Sequence, residues 1–383
     1  MVKILIAPDS MKDCLTSEEV GKNIALGIQA IIPDAEIKVI PMADGGEGTT
    51  RALVAAMQGK LMEVEVHDPL MKKIRTFYGV LEEHKTAVIE VAAASGLELL
   101  KKDERNPWHT SSYGTGELIK AALDQGCRSF LIGLGGSATN DAGAGIIQAL
   151  GGKLLDKEGK DIQKGGGALS ELADIDLSGL DGRLGQCTIL VACDVQIPLC
   201  GEQGTSKVYG AQKGADEFMR EKLDRNLAHF AAVVRKKTGI DIAAMPGAGA
   251  AGGIAGMLKA LLHAELKPGF ELVSGLTGLE EEIKRSDLVI TGEGRTDSQT
   301  LSGKVPLGIA LLGRKLNIPV CIISGSILPG AEKLFELGIV KITALEKPGM
   351  TSDYSISNAP QLLQVAASDL MIWYKGYKFP EAL

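Results

Sequence analysis

The sequence lacks the features of proteins that bind nucleic acids or span membranes. Its 41 lysines and arginines are spread along 383 residues without a basic run, and the net charge is −7. That distribution argues against a nucleic-acid partner. No apolar run approaches the roughly 18 residues of a membrane span, and the N-terminus lacks the charged region and apolar stretch of a signal peptide. We therefore expect a cytoplasmic protein without a membrane partner.

Cysteine, histidine and serine occur in patterns that exclude several enzyme classes. The six cysteines contain no C-x-x-C pair, which is typical of reduced cytosolic thiols rather than disulfides or zinc sites. The five histidines show neither metal-ligand spacing nor a triad. No G-x-S-x-G segment is present, which argues against Ser-His-Asp hydrolysis. The one literal G-x-G-x-x-G, at 247–252, follows a poor strand, so a dinucleotide dehydrogenase is disfavoured.

Aromatic residues are scarce and glycine is abundant. Aromatics make up 4% of the chain, so the core must be aliphatic. The 48 glycines are about one residue in eight, nearly twice the usual share. Phosphate-binding loops and tight βα turns explain such an excess. A chain of this length is too long for one compact core, which predicts two domains.

The apolar pattern at both ends of the chain predicts a parallel-sheet α/β domain. Strands are predicted at 2–7 and 37–40, and the helix between them begins at a Thr16 or Ser17 cap. A second series has strands at 287–291, 320–324 and 340–344, with helices at 305–316 and 331–337. Crossover handedness makes the strands of such units parallel.

The middle of the chain has a different pattern of predicted strands. Short strands at 62–66, 74–80 and 86–91 are typical of an antiparallel meander. We therefore predict two α/β domains with the active site in the cleft between them. A Rossmann- or flavodoxin-like parallel-sheet domain, residues 1–60 plus 286–383, is interrupted by a mixed-sheet domain, residues 61–285.

Polar turns follow four of the predicted strands, at 7–12, 133–141, 192–195 and 291–297, and the second and fourth of these turns contain glycine. Ligands of open α/β sheets bind at the carboxyl ends of the strands. Several acidic and glycine-rich loops in one crevice suit an anionic substrate held together with a metal–nucleotide. The sequence therefore predicts a small-molecule phosphotransferase.

The segment T-G-E-G-R-T-D-S-Q-T-L-S-G-K-V-P, residues 291–306, is the densest in charge. Glu293 and Asp297 are candidate Mg²⁺ ligands. Arg295 and Lys304 are candidates to offset charge on a phosphoryl group. The segment is not a P-loop, because Val305 stands where Ser or Thr belongs. The alternative is a salt-bridged loop without a ligand.

The segment G-L-G-G-S-A-T-N-D, residues 133–141, follows a strand and precedes a helix. Its backbone amides at 135–137 are candidates for an anion nest, with hydroxyl groups as further donors. The alternative is an ordinary βα turn in which Asn140 or Asp141 caps the helix. The predicted anion-binding residues here are Gly135, Gly136, Ser137, Thr139 and Asn140.

Three further turns carry candidate residues. The turn after the first strand is a candidate to contact a phosphate or carboxylate, and the alternative is that its lysine only faces solvent. The A-D-G-G-E-G-T turn is a candidate to contact a phosphate or a substrate hydroxyl, and the alternative is a capped tight turn without a ligand. An acid just past the strand at 188–192 is a candidate general base or metal ligand, or a turn cap. These residues are Asp9, Ser10 and Lys12, then Asp44, Gly45 and Gly46, and finally Asp194.

In their order along the chain, these segments resemble the glycerate kinase type-1 family, which includes bacterial glycerate 2-kinases. The resemblance is carried by A-P-D-S-M-K, A-D-G-G-E-G-T, V-I-E-V-A-A-A-S-G-L, S-Y-G-T-G-E-L-I, G-G-S-A-T-N-D-A-G-A-G, A-C-D-V, Q-K-G-A, P-G-A-G-A-A-G-G and the 291–306 segment. It implies transfer of the ATP γ-phosphoryl group to D-glycerate, giving 2-phosphoglycerate, on a two-domain α/β fold. The chain departs from the family pattern at Met11, Gln196-Ile197 and Ala211.

The residue roles that follow are hypotheses. Mg²⁺ is assigned to Glu293 and Asp297, and charge neutralisation to Arg295 and Lys304. The proton acceptor is Asp194 or Asp44, which the sequence does not rank. A kinase for another small hydroxy acid and a nucleotide- or metabolite-sensing protein are the alternatives. The expected partners are glycerate and ATP, and the residues leave the oligomeric state open, with a homodimer as one candidate.

Overall fold

The structure, a computed structural model, describes residues 1–82, 85–301 and 303–377. Its contacts divide the chain into two compact units. Unit 1 contains residues 1–44, 51–58 and the described residues from 270 onward, and unit 2 contains residues 45–50 and 59–269. The domain boundaries at 60 and 286 stay a prediction, and the end of the first predicted domain, 378–383, lies outside the described residues.

The described chain contains strands of three to nine residues, which form two large sheets and one small antiparallel sheet of two strands. The strands are β1 (Lys3–Ile6), β2 (Glu36–Val39), β3 (Lys60–His67), β4 (Lys73–Leu81), β5 (Thr86–Glu90), β6 (Ser129–Gly133), β7 (Lys153–Leu155), β8 (Asp174–Asp176), β9 (Thr188–Ala192), β10 (Glu265–Lys267), β11 (Leu288–Thr296), β12 (Val320–Ile327) and β13 (Ile339–Ala344).

Helices connect most of the strands. They are α1 (Ser17–Ile31), α2 (Thr49–Ala56), α3 (Ala92–Ser95), α4 (Tyr113–Asp124), α5 (Ala144–Ala149), α6 (Thr205–Tyr209), α7 (Glu217–Thr238), α8 (Ile254–Leu261), α9 (Gly269–Thr277), α10 (Leu279–Lys284), α11 (Val305–Leu316), α12 (Ser352–Ser357) and α13 (Ala359–Gly376). Among the described helices, none is both long enough and apolar enough to cross a bilayer.

Unit 1 is built on a parallel sheet with the strand order β13-β12-β11-β1-β2. β1 and the first halves of β11 and β12 are near-continuous apolar runs, because helices cover a parallel sheet on its faces. α1 begins with a capping box between Thr16 and Glu19, which satisfies amides at the helix start. α1 and α13 pack together over a core that includes Ile24, Ile28 and Leu363. The parallel arrangement of β1 and β2 confirms the prediction for this end of the chain.

The strand order of unit 1 reverses at β1. The chain moves from β1 to β2 on one side, and β11 lies on the other side of β1. Such a switch point opens a crevice at the carboxyl ends of the two strands. The backbone of Asp9 donates to Gly292 O over 2.8 Å, and the Thr291 hydroxyl donates to Ala7 O over 2.8 Å. The segments that follow β1 and β11 are therefore held side by side.

β11 is longer than the sequence predicts. We expected a strand at 287–291 followed by a polar turn, whereas the strand continues to Thr296. The turn prediction for 291–296 is wrong because β12 also extends, so that Glu293 pairs with Ser324 and Arg295 with Ser326. The predicted helix at 331–337 is a 3₁₀ segment, Ala331–Leu337.

Unit 2 is built on a mixed sheet with the order β10-β9-β6-β5-β4-β3. β3, β4 and β5 are antiparallel, as the meander prediction requires, and β5, β6, β9 and β10 are parallel. Glu90, Gly133 and Ala192 lie in register at the carboxyl ends of three of these strands. One parallel and one mixed α/β sheet confirm the predicted fold class.

The packing of α1 on α13 depends on a small residue at Gly27. A β-carbon there would contact Gln364 O and lie 2.8 Å from the Ala367 β-carbon. We expect Gly27→Ala to lower the free energy of unfolding by about 1–3 kcal/mol, because the two helices must separate. Urea unfolding with Gly275→Ala as the control measures this. Gly275 is a helical glycine of the same unit with nothing within 4 Å of its position, so alanine there should stabilise by about 0.5–1 kcal/mol. Equal midpoints for the two variants would contradict the close packing.

Candidate active site

Unit 1 gathers three carboxylates near the switch point between β1 and β11. Asp9 follows β1 and is half-buried. Burial raises the pKa of Asp9 to about 8, and the negative charges of Asp44 and Glu293 add to the rise. The Ser10 amide, which donates to Asp9 Oδ1 over 2.7 Å, and the Lys304 ammonium oppose it. Asp44, Glu293 and Lys304 therefore all act electrostatically on Asp9.

Glu293 lies inside β11 and is 4% exposed. Its Oε1 accepts hydrogen bonds from the hydroxyls of Thr296 over 2.9 Å and Thr300 over 2.7 Å. Its Oε2 lies 3.9 Å from Lys304 Nζ. Burial raises the pKa of Glu293, while the two hydroxyls and Lys304 lower it. One carboxylate oxygen is thus fixed by hydroxyls and the other is turned toward a cation.

Arg295 and Asp297 form an ion pair. Arg295 Nε lies 3.3 Å from Asp297 Oδ2, and the arginine side chain is 59% exposed while that of Asp297 is 13% exposed. Asp297 Oδ1 also accepts from the Gln299 amide over 2.7 Å, at the start of the 3₁₀ segment Ser298–Leu301. The salt-bridged loop, which was the alternative interpretation, is therefore present. The guanidinium is exposed and the carboxylate is buried, and both groups remain candidates to contact a bound ligand.

Ser10 and Lys12 belong to a tight loop after β1. Met11 is buried and pairs with Leu15 through backbone hydrogen bonds of 2.9 Å. Ser10 is half-buried and Lys12 is exposed. Met11 therefore anchors the loop, and its departure from the family pattern is a change in a packed side chain. The ligand contacts of Ser10 and Lys12 stay a prediction.

In unit 2, segment 45–50 lies against the carboxyl ends of β5, β6 and β9. A β-carbon on Gly133 would lie 2.6 Å from Gly45 O, and one on Gly135 would lie 3.0 Å from the Gly46 α-carbon. The Glu90 carboxylate accepts the amides of Gly48 over 3.2 Å and Thr50 over 2.7 Å. Sequence reasoning did not assign Glu90, although an acid at the end of a buried strand was a usable signal.

Loop 133–141 is tied to the segment at 95–97. Leu97 donates to Gly136 O and Ala138 donates to Ser95 O, each over 2.8 Å. These bonds use Gly136 O and the Ala138 amide, and not the amides of 135–137 that we assigned to an anion. The anion nest stays a prediction for those amides.

Asp141 is the structural residue of this loop. Its carboxylate accepts from the Ser112 hydroxyl and amide over 2.9 and 2.8 Å, and from the amides of Gly143 and Gly145. Burial raises the pKa of Asp141, and these hydrogen bonds lower it. The alternative in which Asn140 or Asp141 is the N-cap of the helix is wrong, because Gly143 is the N-cap of α5 and Asp141 reaches the amides of Gly143 and Gly145 from two residues before that cap. α5 itself is only six residues long.

Lys213 is the main site residue that sequence reasoning missed. It ends the 3₁₀ segment Ala211–Lys213, and it is 2% exposed. Its Nζ donates to Ser137 Oγ over 3.0 Å and to Thr139 O over 2.7 Å. Burial lowers the pKa of Lys213 to about 7, and the negative charge of Asp141 opposes that effect. The string Q-K-G-A carried the family resemblance, but nothing in its local pattern predicts a buried lysine.

Further polar side chains are buried beside Lys213. Asn140 Nδ2 donates to Ser206 Oγ over 2.9 Å. Thr139 Oγ1, Asn140 Oδ1 and Thr205 Oγ1 are buried and have no hydrogen-bond partner among the described residues. Thr139 and Asn140 were predicted site residues, whereas Thr205 and Ser206 were not.

Asp194 follows β9 and is exposed. Its Oδ1 accepts the backbone amide of Gly269 over 2.9 Å, as the turn-cap alternative requires. That bond engages one oxygen of the carboxylate. The role of Asp194 as a proton acceptor stays a prediction, as does that of Asp44.

The residues around Glu293 fit a magnesium–nucleotide better than a metal held by protein alone. Among the described residues, no three His, Cys, Asp or Glu side chains form a metal-binding group. Mg²⁺ is usually held by one or two carboxylates, together with phosphate oxygens and water. The carboxyl groups of Glu293, which is turned toward Lys304, and of Asp9 supply hard oxygen donors of that kind.

Comparisons with known proteins agree with the family resemblance. The model of the glycerate kinase family matches residues 4–375. Glycerate 2-kinase from Escherichia coli is 51% identical over 338 residues, which are 88% of this chain and 89% of that protein. Glycerate kinase from Halalkalibacterium halodurans is 46% identical over 98% of this chain and 100% of its own length. A crystal structure of glycerate kinase 2 from Salmonella typhimurium superposes with a TM-score of 0.90 at 44% identity, covering 98% of each chain.

Proposed function

We propose that this chain, which belongs to the glycerate kinase family, transfers the γ-phosphoryl group of ATP to the 2-hydroxyl of D-glycerate. It is a phosphotransferase with an alcohol group as acceptor. The structural observation that supports this chemistry best is the group of Asp9, Asp44, Glu293 and Lys304 at the switch point of unit 1. Phosphoryl transfer requires positioned charge more than covalent chemistry, and that group supplies it.

On the nucleotide side, we propose that Glu293 and Asp297 hold Mg²⁺, with Asp9 as the next carboxylate available to it. The ion, when bound, neutralises charge on the phosphate oxygens. Thr296 and Thr300 orient Glu293 through their hydroxyls. Arg295 and Lys304 supply the fixed positive charges that offset charge on the migrating group.

On the acceptor side, we propose that loop 135–140 of unit 2 binds the anionic substrate. Gly45 and Gly46 let segment 45–50 lie close to that loop. Asp194, with Asp44 as the second choice, accepts the proton of the attacking hydroxyl. The exposed Asp194 carboxylate has one oxygen fixed by the Gly269 amide, which orients the other.

We propose a cytoplasmic location, in keeping with the bacterial kinases to which the chain is similar. A homodimer stays a prediction, and size-exclusion chromatography with light scattering tests it.

The activity has a direct test. We expect ADP release when ATP, Mg²⁺ and D-glycerate are supplied together, and much less with lactate or glycerol as acceptor. Phosphorus NMR of the product then locates the phosphate, since coupling to a CH proton differs from coupling to a CH₂ group. Release of ADP only with another hydroxy acid would indicate a different acceptor. Ligand-induced stabilisation without ADP release from any acceptor would indicate a sensing protein.

Substitution separates the two candidate proton acceptors. Removal of a general base costs about 10²- to 10⁴-fold in kcat. We expect that loss in Asp194→Asn and a smaller one in Asp44→Asn, measured by ADP release at saturating ATP and glycerate. Asp34→Asn, at an exposed acid of unit 1, is the control and should retain full activity. Normal turnover of Asp194→Asn would remove that residue from the base role.

Arg295 offers a test of charge neutralisation. We expect Arg295→Ala to lower kcat by at least about two orders of magnitude, because a charge next to the transferring group is lost. Arg295→Lys keeps the charge but loses the planar fork, and it should recover part of the rate. Circular dichroism checks that both variants fold, since Asp297 loses its ion-pair partner. An unchanged kcat in Arg295→Ala would exclude the role.

A further inference from the structure

A cluster of polar side chains in unit 2 is almost completely buried. It is drawn from loop 133–141, from the start of α6 and from the end of the 3₁₀ segment Ala211–Lys213. We call it the Lys213 cluster. Its members are Ser137 (6% exposed), Thr139 (0%), Asn140 (1%), Thr205 (0%), Ser206 (0%) and Lys213 (2%).

Some hydrogen-bonding capacity of the Lys213 cluster is unused. Thr139 Oγ1, Asn140 Oδ1 and Thr205 Oγ1 have no hydrogen-bond partner within the described part of the chain. Buried polar atoms are almost always paired, and each unpaired one opposes folding, so their presence needs a cause. The hydroxyls can donate or accept, whereas Asn140 Oδ1 only accepts. A ligand with both acceptor and donor groups would satisfy all three.

The positive charge of the Lys213 cluster also favours an anionic ligand. The Lys213 ammonium has three hydrogens, and the structure pairs it with Ser137 Oγ and Thr139 O. Asp141 is the charged group that acts on it. The Asp141 carboxylate, however, is already bonded to Ser112 and to the amides of Gly143 and Gly145. Lys213 is therefore a desolvated cation that no carboxylate of the described residues contacts directly.

The backbone next to the Lys213 cluster is closely packed. Gly252 has a φ of +67°, and a β-carbon on it would contact Thr139 O. Its own carbonyl accepts the Ala142 amide over 3.0 Å. The backbone that carries Thr139 and Asn140 is thus packed directly against Gly252, at a position that a residue with a side chain cannot occupy without strain. Fixed, buried and unpaired groups are the signature of a preorganised ligand site.

We infer that the Lys213 cluster is the acceptor pocket, in which Lys213 and Ser137 bind the carboxylate of a small α-hydroxy acid and Asn140 Oδ1 accepts a hydrogen bond from one of its hydroxyls. This inference rests on the proposed function, since it names residues that bind its acceptor. A hydroxy acid carries an anion and hydroxyl donors together. The phosphates of ATP carry acceptors almost exclusively, so they would leave Asn140 Oδ1 unpaired.

Substitution of Lys213 tests the inference. We expect Lys213→Met to raise the KM for D-glycerate about ten- to a hundredfold, the loss typical of a hydrogen bond to a charged group, with the KM for ATP within about twofold of wild type. Lys213→Arg keeps the charge and should lose less. Lys237→Met, at an exposed lysine of α7, is the matched control and should change neither value. An unchanged glycerate KM in Lys213→Met would overturn the inference.

A threonine variant separates ligand binding from folding. Thr205 Oγ1 makes no hydrogen bond in the protein, so Thr205→Val should leave the melting temperature unchanged or higher while raising the glycerate KM severalfold. Thr110→Val is the contrast, because the Thr110 hydroxyl donates to Ala138 O over 2.8 Å and its loss should lower the melting temperature. A folded Thr205→Val variant with wild-type glycerate KM would count against the pocket.

Calorimetry without ATP identifies the bound group and keeps this inference separate from the activity. The probes are D-glycerate, inorganic phosphate and glycerol. We expect Lys213→Met to weaken the binding of D-glycerate and to leave the affinities for phosphate and glycerol unchanged. Loss of phosphate binding alone would assign the cluster to a phosphoryl group and overturn the acceptor role. Wild-type protein that binds D-glycerate through Lys213 but releases no ADP would refute the proposed function and leave the site standing.

Proton uptake gives a second readout. Only the protonated lysine attracts a carboxylate, and the pKa of Lys213 is lowered to about 7 before the anion binds. A bound anion raises that pKa, so D-glycerate binding must take up a proton near neutral pH. The affinity should then fall by up to about tenfold per unit as the pH rises above about 7. A pH-independent affinity between pH 6 and 9 in wild type, roughly the range that spans this pKa, would contradict the role of Lys213.

Discussion

Carboxylates crowded at the end of a parallel sheet repel one another, and that repulsion determines what unit 1 can bind. Asp9 follows β1 and Glu293 lies in β11, so the reversal of strand order brings them together whatever their charge. The pKa of Asp9 is raised to about 8 by burial and by the charges of Asp44 and Glu293. Lys304 and the hydroxyls of Thr296 and Thr300 offset part of this cost. A divalent cation would offset more, which is why a metal–nucleotide suits the site and a bare anion does not.

Unit 2 also buries a charged group, but there the charge is positive. Lys213 is held away from water by the loop that it stabilises, and its pKa is lowered to about 7 for that reason. A hydrophobic residue of similar size would fill the space at less cost to folding. The fold retains a cation instead, beside buried hydroxyls that bond to nothing else in the described chain. Groups that oppose folding and are still present are most simply explained by a ligand that they bind.

The sequence predicted the α/β fold of the protein and about half of the polar side chains in the two clusters. Near-continuous β-branched runs identified β1, β6, β9 and β12, because parallel strands bury both faces. Acids and hydroxyls at strand ends identified Asp9, Glu293 and the 133–141 loop. The extension of β11 through Glu293 and Arg295 was missed, because glycine and charged residues have low strand propensity and only pairing with β12 supports them. Lys213 and Thr205 were missed for a different reason. No local pattern records that a polar side chain will be buried, and that information appears only when distant segments pack.

The contrast between the two clusters also bears on selectivity. Under the proposed function, an acceptor anion is repelled by the negative charges of Asp44 and Glu293 unless a cation is already present, so the unit 1 group would discriminate against free glycerate. A magnesium ion would be repelled by the Lys213 ammonium, and the carboxylate that acts on Lys213, Asp141, already accepts hydrogen bonds from Ser112 and two backbone amides. Under the proposed function, each cluster therefore disfavours the ligand suited to the other through unfavourable charge. Two substrates that both carry negative charge can be sorted in this way, because only one of them arrives with a metal ion.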